Sequence, residues 1–140
     1  MKAHIARNQY AGTPAVLEWN LSPSDRGILD GMSAAFGMKT RAVLPEEADR
    51  TVEDLLGDLA AVPPAGVTSR LPGSSVILLA NFREKDLDTL LDLLKTAKCG
   101  VQIKAAATET NRRWRFCDLV EHLEEEHRAM AAAQTAGGRK

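Results

Sequence analysis

A surplus of charge of either sign is missing from this sequence. Its 140 residues carry 18 Lys and Arg against 19 Asp and Glu, a formal net charge of −1. Dedicated nucleic-acid binders present a strongly basic face, so that class is disfavoured. Long hydrophobic runs are missing too. None approaches the ~20 residues that span a bilayer, and Met1 to Asn8 lacks the apolar core of a signal peptide. Cysteine is scarce: Cys99 and Cys117 are too few for a disulfide framework, and in a reducing compartment they stay free thiols. These absences point to a cytoplasmic protein with no membrane partner.

Catalytic signatures are also absent. There is no Gly-rich phosphate loop, no paired-His helix and no Ser nucleophile elbow. Cys117, His122 and His127 are spaced so that a helix sets the later two about 140° and 280° around from the first, on different faces. They do not converge on a metal, and neither a metal nor a cofactor is expected.

What the sequence does have is a core and a repeated plan. An apolar fraction of 44% with 26% charged residues suits one soluble globular domain. The first half, residues 15–61 after an N-terminal extension over 1–14, begins with an apolar run, Ala15 to Leu21. Ser22 can then cap a helix, with Pro23 at its first position and Asp25 completing a weak capping box. Ile28, Leu29, Met32, Ala35 and Phe36 recur at helical spacing, and Gly37 ends the helix. Gly27 and Gly31 cost a helix about 1 kcal/mol each relative to Ala; four residues apart, they suggest close packing against a neighbour. A strand over Lys39 to Leu44 follows, and Thr51 caps a second helix carrying Val52, Leu55, Leu56 and Leu59.

A Pro/Gly-punctuated linker over 62–74 leads to the second half, residues 75–130, which repeats this order. Val76 to Ala80 reads as a buried strand closed by Asn81, as Asn20 closes the first. Leu87, Leu90, Leu91 and Leu94 form a helix stripe, Val101 to Ala105 a strand, and Phe116, Leu119, Val120 and Leu123 the last stripe. Residues 131–140 read as a flexible tail.

Strands alternating with helices predict an α/β fold: two βαβα units forming one four-stranded, mostly parallel sheet with helices on both faces. The third strand is apolar throughout and the first nearly so, apart from Glu18 and the last residue, and both belong in the centre. The second and fourth alternate, with Lys39, Arg41, Gln102 and Lys104 on one side, and belong at the edges. The order is therefore 2-1-3-4; a ferredoxin-like order, 4-1-3-2, has the same edges and is the alternative. In such sheets ligands sit beyond the carboxyl ends of the strands where the order reverses. That rule gathers Asn20 and Ser22 from one half with Asn81 and Arg83 from the other, and adds Thr108, Thr110, Asn111 and Arg112 from the loop after the fourth strand. Helix N-termini pointing there favour an anion.

One stretch stands out chemically: Thr108-Glu109-Thr110-Asn111-Arg112-Arg113-Trp114 places hydroxyls, a carboxamide, guanidiniums and an indole in a strand-to-helix loop. Together with Lys104 to Ala107 before it and the acidic helix ending Glu124-Glu125-Glu126-His127, it resembles the bacterial family called domain of unknown function 3783, most sharply over Ser75 to His127. The family motif reads roughly Lys-Ala-x-x-Thr-Pro-Thr-Asn-Arg-x-Trp. By match, Thr108, Thr110, Asn111, Arg112 and Trp114 carry over. Glu109 stands in place of the Pro, and Arg115 in place of a hydroxyl cap.

The family has no assigned activity, so the resemblance implies fold and site rather than chemistry. The loop residues suit a binding or regulatory module that holds an anionic ligand or a partner protein, with a homodimer left open. A small enzyme of unknown reaction at the same edge is the alternative, although only Glu109 could serve there as an acid or base. The residues equally suit a structural clasp. For binding, Trp114 is expected buried, anchoring the loop, and Arg112 partly exposed.

Overall fold

The computed structural model describes residues 13–57 and 72–138. The expected linker as far as residue 71 and the N-terminal extension as far as residue 12 lie outside them. In the first half the chain runs β1 (Ala15–Trp19), α1 (Pro23–Phe36), β2 (Lys39–Ala42), a 3₁₀ turn (Pro45–Glu47) and α2 (Val52–Leu56). In the second it runs β3 (Val76–Ala80), α3 (Glu84–Thr96), β4 (Ile103–Ala106), a 3₁₀ turn (Asn111–Arg113) and α4 (Phe116–Gly138). The two halves share one order of elements. Helix α4 extends through Gly138, well into the stretch read as a tail.

Local chemistry explains the boundaries. Ser22 caps α1, its hydroxyl accepting the Asp25 N–H at 3.1 Å, and Pro23 fills the first turn where no N–H is needed. Gly37 ends α1 in the left-handed conformation, φ 60°. Thr51 caps α2 by the same bond to the Asp54 N–H, 3.1 Å. The Asp25 carboxylate does not complete a capping box: it accepts the Gly100 N–H at 2.8 Å, tying α1 to the start of the chain segment leading to β4.

The sheet order is β2-β1-β3-β4. The β1–β2 and β3–β4 pairs are parallel, each joined by a crossover through α1 or α3, and the central β1–β3 pair is antiparallel. Helices cover both faces. Val16, Leu29, Met38, Ile77, Leu79, Leu90 and Leu94 pack on the α1/α3 side. Leu17, Trp19, Val52, Leu55, Leu78, Phe116 and Val120 pack on the α2/α4 side. All five residues of β3 are buried, whereas β2 and β4 are edge strands of mixed exposure.

Leu17 sits directly opposite Leu78. Three residues beyond each lies a left-handed asparagine, Asn20 at φ 58° and Asn81 at φ 66°. On the α2/α4 side, the Val52 N–H donates to Trp114 O at 3.0 Å and the Phe116 N–H to Arg50 O at 2.8 Å, flanking a Thr51–Arg115 bridge. This register describes an approximate two-fold axis normal to the sheet, passing between Leu17 and Leu78.

One expectation about packing fails. A Cβ added at Gly27 or Gly31 would meet nothing within 4 Å, and both residues are exposed. Close approach of a neighbour does not account for these glycines.

Candidate functional site

The antiparallel central pair decides which residues meet. Carboxyl ends of β1 and β2 point to one edge of the sheet, and those of β3 and β4 to the opposite edge. The expected convergence of Asn20 and Ser22 with Asn81 and Arg83 therefore does not occur. The strand-end rule presumes strands running in one sense, and apolar patterning carries no information about strand direction.

At the first edge, Asn20 and Ser22 serve the fold. The Asn20 Nδ2 donates to Pro72 O at 3.0 Å, and the Trp19 Nε1 donates to the same oxygen at 3.0 Å. Glu124 of α4 accepts the Ser74 N–H at 3.0 Å. Burial alone would push the Glu124 carboxyl up, but the hydrogen bonds from the 73–74 backbone and from Ser74 outweigh it and hold the carboxyl below its usual value. These side chains clamp the chain as it enters β3.

At the second edge the polar groups are linked differently. The Asn81 Nδ2 donates to Thr13 O at 3.1 Å, clamping the chain before β1 as Asn20 does before β3. Asn81 Oδ1 accepts from Arg112 Nη2 at 2.7 Å. The loop carrying Arg112 is fixed by its own residues. The Thr108 N–H donates to Asn111 Oδ1 at 2.7 Å, the Asn111 N–H to Thr108 Oγ1 at 3.0 Å, and the Asn111 Nδ2 to Ala106 O at 3.2 Å. Thr108 and Asn111 are thus occupied in holding the turn. Thr110 is exposed and caps nothing with its side chain. Arg83 is exposed at the start of α3, where it too makes no side-chain cap. Glu109 is exposed in the loop, and Glu84 and Asp86 occupy the first turn of α3.

Trp114 corrects the expectation of burial. It is 36% exposed, its ring edge-on to His122 at 5.2 Å between centroids, on the α4 side of the loop. The buried aromatic anchor is Trp19 instead, 3% exposed and tilted against Phe116 at 5.7 Å. Arg115, standing where Thr51 stands in the first half, replaces a cap with an ion pair to Asp118 at 3.1 Å. An open cavity of about 570 Å³ lies under α2, lined by Ala15, Leu17, Lys39, Arg41, Leu55 and Leu56 among others; none of the nine expected site residues lines it.

Residues 75–130 match the model of a family described as a domain of unknown function, DUF3783. That segment contains Asn81, Arg83 and the whole 108–114 loop, and none of Asn20, Ser22 or Trp19. No curated protein and no solved structure matches the chain. No helix among the described residues is long and apolar enough to cross a membrane.

Proposed function

We propose that the protein is a binding or regulatory module whose second edge, around Asn81, Arg83, Thr110 and Arg112, receives an anionic group, free or carried by a partner protein. A cytoplasmic location belongs to the same reading. The observation that carries it is the state of Arg112. Arg112 is half-buried, and its guanidinium is oriented by a carboxamide rather than a carboxylate. Among the described residues it makes no ion pair, so its charge is fixed in place and uncompensated. A planar guanidinium with one amine committed to Asn81 retains further donors suited to an oxyanion. Arg83 adds a second exposed cation, while Glu84, Asp86 and Glu109 keep the edge from becoming broadly basic, which favours a compact, singly charged group over a polyanion.

An amide NMR titration with acetate and with inorganic phosphate tests this. Resonances of Asn81 to Asp86 and Thr108 to Arg113 are expected to shift, while those of Asn20 to Asp25 stay still. In Arg112→Gln the shifts should vanish with the spectrum otherwise intact. Equal shifts in the variant, or none in the wild type, would remove the proposal and leave the loop as a structural clasp.

A further inference from the structure

We propose that Glu18 is a proton-binding site in the interior of the first half, and that uptake of one proton there stabilises the fold. Glu18 is the penultimate residue of β1 and is 3% exposed. It shares a sheet face with Val16, on the α1/α3 side. Its Oε2 has no hydrogen-bond partner. Its Oε1 has Arg26 Nε at 3.7 Å, from a side chain 53% exposed and free to turn to water. A buried carboxylate oxygen without a donor is costly when ionised and far less so when protonated.

The surroundings agree. Burial, the largest influence, and then the negative charge of Asp30 push the Glu18 carboxyl above its usual value, and Arg26 opposes them without offsetting them. Asp30 is held on the same helix by its bond from Thr40 Oγ1, 3.1 Å. Across the sheet Glu18 faces Ala42 of β2 and Ile77 of β3, neither titratable. From α3, Leu90 and Leu94 join the same apolar cluster. The fold does not itself require an acid here. Leu79 lies one residue past Leu78 as Glu18 lies one past Leu17, so the second half fills the corresponding place with an apolar side chain.

The sign follows from linkage. A carboxyl whose folded-state pKa lies above its unfolded value stabilises the fold fully below the unfolded value, about 4.3, and that stabilisation is lost as pH rises through the folded value.

A carboxyl-carbon NMR titration of the full chain tests this, with the Glu18 signal assigned by its loss in Glu18→Gln. Its midpoint should lie above the ordinary carboxylate range. Thermal melts from about pH 4 to about pH 8, bracketing that range, should show the wild type falling by a few degrees relative to Glu18→Gln as pH rises. Glu18→Leu, copying Leu79, should melt above the wild type at neutral pH. An ordinary midpoint, or a Glu18→Gln curve parallel to the wild type, would overturn the proposal. If the variants do not fold, the Glu18 carboxyl signal is assigned through its own side-chain resonances and the wild-type titration decides.

Discussion

The two ends of this sheet are built on one plan and finished differently. Each strand that leaves the centre closes on a left-handed asparagine whose Nδ2 grips the chain entering the neighbouring strand: Asn20 holds Pro72 O, and Asn81 holds Thr13 O. At the first edge a second donor, the Trp19 indole, reinforces the same carbonyl from within the core. At the second edge the reinforcement comes from outside. The Arg112 guanidinium bonds the asparagine's own oxygen, and the indole of that half, Trp114, lies on the surface. Polar groups at the first edge are consumed by the fold, whereas the second edge keeps a placed charge. A repeated scaffold can thus carry a clamp reinforced from the core at one end and one reinforced by a guanidinium at the other, with no change in backbone plan.

The largest expected contrast is between the two tryptophans. Trp19→Ala removes a buried ring and its tilted contact with Phe116 and should cost about 3–5 kcal/mol. Trp114→Ala removes a partly exposed ring and should cost well under ~2 kcal/mol. Urea denaturation of the two variants measures both, and equal losses would erase the distinction between the edges.

The asparagines should differ by less. Glycine tolerates their backbone, so Asn20→Gly and Asn81→Gly isolate the side-chain bonds. Asn20→Gly leaves Pro72 O with its indole donor and should cost about 0.5–1.5 kcal/mol. Asn81→Gly also strips the partner from a guanidinium, and hydrogen bonds to charged groups contribute about 1.5–3 kcal/mol. Denaturation midpoints with Asn20→Gly as the more harmful change would contradict this.

Smaller effects of opposite sign come from the helices. Gly27→Ala and Gly31→Ala place a methyl in open space on α1 and should each stabilise by about 0.5–1 kcal/mol. Lys98, at φ 60°, follows α3 much as Gly37 at the same φ follows α1. Lys98→Gly should raise the melting temperature slightly by relieving that strain, bringing the second half closer to the first.

The smallest effect is expected at Glu124, whose carboxyl, against the push of burial, is held below its usual value by the hydroxyl and backbone of Ser74, the positive charge of Arg128 and the backbone of Gly73. Its contribution is present above the unfolded carboxylate value and disappears as pH falls through the lower folded one. Glu124→Gln should therefore melt below the wild type at neutral pH and converge with it in acid, a trend opposite to that expected at Glu18.

Several features were legible in the sequence because they are local. Ser22 and Thr51 are caps because a hydroxyl can reach the N–H three residues on, whatever surrounds it. Apolar β1 and β3 against alternating β2 and β4 set the centre and the edges of the sheet, since burial on two faces leaves a pattern in the residues themselves; the choice of 2-1-3-4 over 4-1-3-2 came from the structure. The loop from Thr108 to Trp114 was visible as concentrated side-chain chemistry. Asp25 was visible only as half of a capping box, because its partner, the Gly100 N–H, lies far away in sequence. Glu18 was visible only as a break in an apolar run. Its burial, its unpartnered oxygen and the nearness of Asp30 come from α1 folding across β1.

The sequence by itself thus determined the elements, which strands lie at the centre of the sheet and which at its edges, and the shared order of elements in the two halves. These follow from periodicity, caps and apolar content, which act over a few residues. Only the tertiary structure decided that β1 and β3 run antiparallel. Side-chain alternation is identical for a strand read in either direction, so direction is fixed solely by how the two halves dock. That one choice sent Asn20 and Ser22 to one end of the molecule and Asn81, Arg83 and Arg112 to the other.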